Sequence, residues 1–152
     1  MKAIVFREHG GPEVLKYEDV PDPKLEADEV LIKARASSVN YNDVWARRGL
    51  PGLKVILPHI SGSDLAGEVA EVGKHVSNVS VGDKVVIHPC LSCRICEYCT
   101  SGREYFCRSF KIYGFETGPL DGAHAEYAKL PQANVLPMPK GLSFEEAASM
   151  PI

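Results

Sequence analysis

The sequence lacks several features that would each place it in a distinct class of protein. No apolar stretch in its 152 residues approaches the roughly 20 residues that a membrane-spanning helix needs. Residues 1–7 form too short an apolar run for a secretory signal. The net charge of -3 comes without a long run of one sign, which disfavours nucleic acid or an anionic membrane as the main partner. We therefore expect a cytoplasmic protein that binds neither nucleic acid nor a membrane.

A further absence concerns dinucleotide cofactors. The chain contains no G-x-G-x-x-G segment, so no cofactor-binding residue is predicted within it, because that glycine loop and the helix after it hold the pyrophosphate. The residues present are 45% hydrophobic and 24% charged, which is typical of a water-soluble globular chain. A length of 152 residues suits one domain with a proper core.

The pattern of apolar residues predicts a mainly β fold with a few short helices. A helix is predicted over residues 40–48, because Asn or Asp lies near its start, two Arg lie in its last turn and Gly49 follows it. A capping box from Ser143 to Glu146 predicts a second helix from about residue 144, and we interpret the few residues after it as a chain cut near a domain boundary. Strands are predicted at residues 3–6, 14–20, 30–35, 65–72, 84–87, 125–130 and 134–136.

All five cysteines lie between residues 90 and 107, in the pattern C-x2-C-x2-C-x2-C followed by seven residues and Cys107. Cysteines separated by two residues are typical of metal ligands, whereas a disulfide framework usually spreads its cysteines. Zinc prefers four tetrahedral ligands, and four thiolates leave no position for water or substrate. The spacing therefore predicts a structural metal site, most simply for zinc.

Two sets of four cysteines satisfy this pattern. One contains Cys90, Cys93, Cys96 and Cys99; the other contains Cys93, Cys96, Cys99 and Cys107. We favour the second, because ligands spaced only by threes would all come from one continuous turn, in which tetrahedral closure is awkward. An iron–sulfur cluster is the chemical rival, but the seven-residue gap and the lack of Pro after any Cys do not match the ferredoxin run. Five unligated thiols are the remaining alternative.

At this point the chain resembles the N-terminal half of the medium-chain dehydrogenase/reductase family, the zinc-containing alcohol dehydrogenases and their relatives. In that family the structural zinc lobe reads C-x2-C-x2-C-x7-C, which here falls on Cys93, Cys96, Cys99 and Cys107 and leaves Cys90 outside. The resemblance covers essentially the whole chain. It also rests on the segments Met1–Ala3, Gly62–Gly67 with Gly73, Val81–Val85, Asp121–Tyr127 and Ser143–Ala148.

The resemblance implies that residues 1–152 are a GroES-like catalytic domain, a partly open β-barrel with a zinc lobe at about residues 89–110. It implies one structural zinc per chain, and a Rossmann domain that binds NAD(P) and lies outside this chain. The full-length protein would then be an NAD(P)-dependent, alcohol dehydrogenase-like oxidoreductase of small molecules and a homo-oligomer. The isolated domain should be inactive, since hydride transfer needs a nicotinamide held in place.

Two positions depart from the alcohol dehydrogenases, in which a Cys and the His of a G-H-E motif hold a catalytic zinc. Those positions are Asn40 and Ser63 here, and an amide oxygen and a hydroxyl are poor zinc ligands. Asp64 alone cannot replace them. We therefore expect no catalytic zinc, as in family branches that reduce quinones or enones. His59 and His88 lie nearby in sequence, and we interpret both as surface or hydrogen-bonded residues.

The resemblance also supplies candidate catalytic residues: Asn40, Tyr41, Asp43, Ser63 and Asp64. Asn40 could donate to a substrate carbonyl or simply cap the helix, and Asp43 could lie at the active site or favour the helix N-terminus by its charge. Tyr41 could be an acid or an orienting donor, although core packing is the preferred interpretation. Ser63 and Asp64 would line the cleft.

The flanking positions have simpler interpretations. At helical spacing, Trp45 is interpreted as a core residue rather than a substrate platform. Arg47 and Arg48 are interpreted as a solvated helix end. The rival to the oxidoreductase hypothesis is a stand-alone, zinc-stabilised β-barrel that serves as a binding or assembly module.

Overall fold

The computed structural model describes residues 1–151 and consists mainly of short antiparallel strands. The strands are β1 Lys2–Phe6, β2 Lys16–Asp19, β3 Glu29–Ala36, β4 His59–Ile60, β5 Ala66–Val72, β6 Lys84–Ile87, β7 Cys90–Leu91, β8 Lys111–Ile112, β9 Tyr127–Pro131 and β10 Val135–Pro137. The α-helices are α1 Tyr41–Arg48, α2 Glu97–Thr100 and α3 Phe144–Ala148. Short 3-10 turns lie at Pro12–Val14, Glu104–Phe106 and Gln132–Asn134. The predicted mainly β class is confirmed.

The strands form open sheets rather than a closed barrel. The largest sheet has the order β10-β6-β5-β3-β9, a smaller one has the order β2-β1-β4, and β7 pairs with β8. An isolated bridge between Ala3 and Ala125 joins β1 to the segment before β9. Within residues 1–151, no helix is long and apolar enough to cross a membrane.

The main core lies on one face of the largest sheet. In β3 the alternation predicted from the sequence is observed, because Val30 and Ile32 are fully buried. Leu65, Val85 and Leu130 pack into the same cluster, and full burial of each such side chain contributes about 1.5–3 kcal/mol. Gly67 allows β5 to approach β3, since a Cβ there would lie 2.3 Å from the carbonyl oxygen of Lys33.

Four predicted strands begin later than expected; the one predicted from residue 65 begins at Ala66, and the other three each have a local reason. The strand predicted from residue 14 is preceded by the turn at Pro12–Val14, in which the amide of Gly11 donates to the carboxylate of Glu13 at 2.7 Å. The strand predicted from residue 125 begins at Tyr127, since Ala125 bridges to Ala3 instead. The last strand begins after Asn134, which belongs to a 3-10 turn.

Both predicted helices are present with the expected ends. The helix α1 starts after Asn40, whose backbone amide donates to Asp43 Oδ2 at 2.7 Å. It ends before Gly49, which has a φ of 78°. The helix α3 follows the predicted capping box. Glu146 donates its amide to Ser143 Oγ at 3.2 Å, and its carboxylate accepts from the amide of Ser143 at 2.8 Å.

Candidate functional site

Four of the five cysteines converge in the lobe at residues 89–110, which we call the cysteine lobe. Its base is the two-stranded sheet β7-β8, and Cys96 lies at the N-terminus of the short helix α2. The Sγ atoms of Cys93, Cys96, Cys99 and Cys107 all lie within 4.8 Å of one another. Cys99 Sγ is 3.9 Å from that of Cys93 and 3.5 Å from that of Cys96.

These distances suit a tetrahedral metal ion. Four sulfurs placed 2.3 Å from a zinc ion would be separated by about 3.8 Å from each other. The amides of Cys93 and Ser109 each donate to Cys107 Sγ at 3.4 Å, which fixes the most buried of the four sulfurs. The cluster could therefore hold a metal ion, and four thiolates would complete its shell without leaving a place for substrate.

The surroundings of Cys93 and Cys99 shift the pKa values of these two thiols in opposite directions. The backbone amides of Ile95 and Cys96 lower the pKa of Cys93 to about 6, whereas desolvation raises the pKa of Cys99 to about 11. The protein thus stabilises a thiolate at Cys93 and opposes one at Cys99. A bound cation would stabilise the thiolate form of both.

Cys90 is not a member of this sulfur group. It lies in β7 opposite Ile112, and burial raises the pKa of its thiol. The backbone amide of Cys90 donates to His88 Nδ1 at 3.2 Å. Asn134 fixes the backbone where the chain enters the lobe, because its side-chain amide donates to the carbonyl oxygens of His88 and Cys90 at 2.7 and 3.0 Å.

A second polar centre lies around Asp64, far from the cysteines in sequence. Asp64 is fully buried, and its Oδ2 accepts from Ser38 Oγ and, at 2.6 Å, from Asn40 Nδ2. Among the described residues, Asp64 Oδ1 and Ser63 Oγ are buried without a hydrogen-bond partner. The structure therefore brings together the predicted residues Asn40 and Asp64, with Ser63 adjacent. The side chain of Asn40 is already hydrogen-bonded to Asp64.

Asp43 forms a separate network on the inner side of α1. Its Oδ1 accepts from the amide of Gly62 at 2.9 Å, and its Oδ2 accepts from the amide of Asn40. His124 Nε2 lies 3.6 Å from Asp43 Oδ2, and His124 Nδ1 lies 3.2 Å from Ser37 Oγ. Asp43 thus connects the start of α1 to Gly62. Gly62 has a φ of 107°, and a Cβ on this residue would lie only 2.8 Å from the backbone nitrogen of His124.

Three interpretations of α1 were wrong. Tyr41 is 62% exposed and Trp45 is 41% exposed, so neither is a core residue; their rings pack edge to face at 5.2 Å. Arg47 is not part of a solvated helix end, because it is only 8% exposed and donates from Nη1 to the carbonyl of Gly10 at 2.6 Å. Arg48 is exposed as expected. The eight-residue helix turns Asp43 and Arg47 inwards together because they are one turn apart.

His59 and His88 have different surroundings. His59 is fully buried, its Nε2 lies 2.9 Å from the carbonyl oxygen of Gly114, and desolvation lowers its pKa. His88 is exposed. No role was predicted from the sequence for His124 or Ser38, although His124 lies beside Asp43 and Ser38 donates to Asp64. The segment Asp121–Tyr127 was the available signal for His124, whereas Ser38 had none.

The comparisons with known proteins agree with this fold. Residues 26–140 match the alcohol dehydrogenase GroES-like domain. The chain is 39% identical over 150 residues to sorbitol dehydrogenase of Bacillus subtilis, covering 97% of this chain and 41% of the relative. It is 38% identical over 152 residues to crotonyl-CoA carboxylase/reductase of Cereibacter sphaeroides, covering 96% of this chain and 35% of the relative. A crystal structure of an NAD-dependent alcohol dehydrogenase superimposes with a TM-score of 0.93 at 45% identity, covering 99% of this chain and 43% of that one.

The family match extends over most of the chain, so the resemblance seen in the sequence is confirmed. The chain belongs to the alcohol dehydrogenase GroES-like domain family. It spans about two fifths of the length of the relatives it matches.

Proposed function

We propose that this chain is the N-terminal catalytic domain of an NAD(P)-dependent oxidoreductase of small molecules, with its cofactor domain outside these 152 residues. The observation that carries the proposal is the family match to dehydrogenases of more than twice its length. The exposed pair Tyr41 and Trp45 supports it, because paired exposed aromatic rings on a short helix are suited to a covering partner domain or substrate.

We propose further that the cysteine lobe holds one structural zinc ion per chain. Cys93, Cys96, Cys99 and Cys107 would be the ligands, because their sulfurs already lie near tetrahedral separations. The ion would organise the lobe and take no part in the reaction.

No catalytic zinc is part of this proposal. The side-chain amide of Asn40 is directed to Asp64, and Ser63 supplies a buried hydroxyl where the alcohol dehydrogenases have an imidazole. Neither group is a strong ligand for zinc. An amide nitrogen carries two hydrogens, so Asn40 can donate to Asp64 and still offer one to a substrate carbonyl. Asp64 would act as a positioning residue for Asn40.

This arrangement favours a conjugated carbonyl compound over a simple alcohol as substrate. Without a Lewis acid on the carbonyl oxygen, hydride addition is easier at a conjugated carbon, where a hydrogen bond can stabilise the charge that moves to the oxygen. The similarity to a crotonyl-CoA carboxylase/reductase supports this choice, because a crotonyl group is an alkene conjugated to a carbonyl. The nicotinamide cofactor would supply the hydride.

The test uses the complete reading frame that contains this chain. Oxidation of NADH and NADPH is followed with 2-cyclohexen-1-one, and reduction of NAD and NADP is followed with cyclohexanol. We expect the enone to be reduced faster than the alcohol is oxidised. Faster alcohol oxidation by a protein with two zinc ions per chain would contradict the zinc-free site, and no turnover or cofactor binding at all would contradict the oxidoreductase proposal.

Substitution of Asn40 sharpens the test. Asn40→Ala should lower kcat with the enone by about 100- to 1,000-fold, the usual cost of losing one donor at a developing oxyanion, while cofactor affinity stays unchanged. Arg48→Ala is the matched control, since Arg48 is exposed on the same helix. Equal losses in both variants would assign Asn40 a structural role only.

A further inference from the structure

A cavity of about 290 Å³ lies between α1 and the N-terminal segment of the chain. Its walls are mostly apolar and include Ile4, Leu15 and Val44. Arg47 and Asp43 reach the same cavity from one face of α1. Charged side chains are rarely so buried unless they are paired, so the cavity combines an apolar interior with two charges that need explanation.

The negative charge of Asp43 is already satisfied. Both of its carboxylate oxygens accept backbone amides, from Gly62 and from Asn40. His124 Nε2 lies 3.6 Å away, and the carboxylate is near the N-terminus of α1, where the helix dipole favours negative charge. The carboxylate keeps its charge, but neither of its oxygens lies within ion-pair distance of the Arg47 guanidinium, so Asp43 does not pair directly with that group.

The positive charge of Arg47 is not satisfied in the same way. The side chain is only 8% exposed, and Nη1 donates to the uncharged carbonyl of Gly10. Among residues 1–151, no carboxylate oxygen lies within ion-pair distance of its guanidinium group. A guanidinium has five N–H donors, so most of this group's hydrogen-bonding capacity remains for another acceptor. Backbone amides and, to a lesser extent, the charge of Arg47 lower the pKa of Glu13, but that carboxylate is exposed and beyond ion-pair distance. A buried guanidinium without a direct partner favours an anion beside it.

We propose that this cavity binds a small monocarboxylate with an apolar body, whose carboxylate pairs with Arg47 and whose body contacts Ile4, Leu15 and Val44. A planar guanidinium matches a carboxylate in a bidentate pair. At about 30 Å³ for each heavy atom of a liquid, the cavity accommodates roughly ten heavy atoms. Inorganic phosphate fits less well, since beside Arg47 and Asp43 only Ser61 and His124 are polar in the lining, and the remaining apolar wall offers its other oxygens no hydrogen bonds. The proposal depends only on residues of this chain and not on the oxidoreductase function.

Benzoate is a suitable probe, because it has nine heavy atoms and one carboxylate. Titration of the isotope-labelled, zinc-loaded chain is followed by 1H–15N NMR, with benzyl alcohol and inorganic phosphate as matched probes of shape and of charge. We expect saturable shifts with benzoate at residues near Arg47 and Val44, and at least tenfold weaker binding of the other two. Equal binding of benzyl alcohol would overturn the charge pairing, and preferential binding of phosphate would overturn the apolar site.

Arg47→Gln removes the charge and keeps a donor for the carbonyl of Gly10. A hydrogen bond to a charged group typically changes binding by about 10- to 100-fold, so benzoate affinity should fall by that factor. Arg48→Gln is the control, because it removes the same charge from the exposed neighbour on the same helix. Similar losses in both variants would show that benzoate responds to net charge alone.

Val44→Met provides a second approach if Arg47→Gln does not fold. It narrows the cavity from the same helix without changing charge and should also weaken benzoate binding. Unchanged affinity in Val44→Met, together with NMR shifts away from α1, would contradict the proposed location.

Discussion

The cysteine lobe and the main sheet are organised by different forces. The sheet has a continuous core in which Val30, Ile32, Leu65 and Leu130 are buried together. In the lobe, Ile95, Tyr105 and Phe106 are all more than half exposed, and the four ligand cysteines form its centre. Hydrophobic burial therefore stabilises the sheet, whereas we expect the lobe, with its exposed apolar side chains, to depend on its sulfurs.

The polar groups of the two regions show the same difference. Around Asp64 the partners of Oδ2 are other side chains, Ser38 and Asn40, whereas Oδ1 has no hydrogen-bond partner among the described residues. In the cysteine lobe the sulfurs contact mainly one another and a few backbone amides. Removing a sulfur and removing the carboxylate should therefore have separable consequences.

The largest expected effect separates the regions directly. Cys107→Ser removes the most buried sulfur, so the chain should lose its zinc and the dispersed NMR signals of the cysteine lobe, while the signals of β3 and β5 persist. Zinc content and 1H–15N spectra measure both. Cys90→Ser is the control and should retain the ion, because Cys90 is not part of the sulfur group. Zinc loss in the Cys90 variant instead would show that the ligand set is wrong.

A smaller effect is expected at the buried carboxylate. Asp64→Ala leaves the donors of Ser38 and Asn40 without their acceptor, which should lower the free energy of unfolding by about 2–3 kcal/mol. Zinc content should stay unchanged. Urea unfolding monitored by circular dichroism measures the loss, with Glu71→Ala, an exposed position on β5, as the control. A stability loss accompanied by zinc release would mean that the two regions are coupled.

The smallest effect concerns pH and the buried His59. Desolvation lowers the pKa of His59 below its ordinary value of 6.5. Near pH 6, His59 is therefore protonated to a greater extent in the unfolded chain than in the folded chain. This contribution to stability is therefore present above pH 6.5 and decreases as the pH falls below it. The slope from one such group is at most about 1.4 kcal/mol per pH unit.

Substitution of His59 isolates this contribution. In His59→Gln the free energy of unfolding between pH 5 and 7 should vary less than in the parent chain. His75→Gln, at an exposed histidine, should leave the dependence unchanged. An identical pH profile in all three proteins would assign the dependence to other groups.

Much of the fold could be predicted from local patterns. Alternation located β3, the pattern of apolar residues at 84–87 located β6, and the Ser143–Glu146 capping box located α3. These signals work because each is contained within a few consecutive residues. The pairing of strands and the openness of the sheets depend on contacts between distant segments, which no local pattern reports.

The candidate site divides in the same way. Convergence of the four sulfurs could be anticipated, since three of them lie within seven residues. The seven residues between Cys99 and Cys107 allow the chain to return to the first three. The partners of Asp64 come from a segment about 25 residues earlier, so Ser38 could not be recognised. Helical spacing alone could not tell which face of α1 is covered, and for that reason the burial of Arg47 and the exposure of Trp45 were both missed.

Metal stoichiometry shows whether zinc is held by the cysteine lobe alone. The chain is purified without added chelator, and zinc is measured by atomic emission against protein concentration from amino-acid analysis. The account predicts one zinc ion per chain, retained in Cys90→Ser and absent in Cys107→Ser. Two zinc ions per chain would contradict it, because the second would have to be held near Asn40, Ser63 and Asp64.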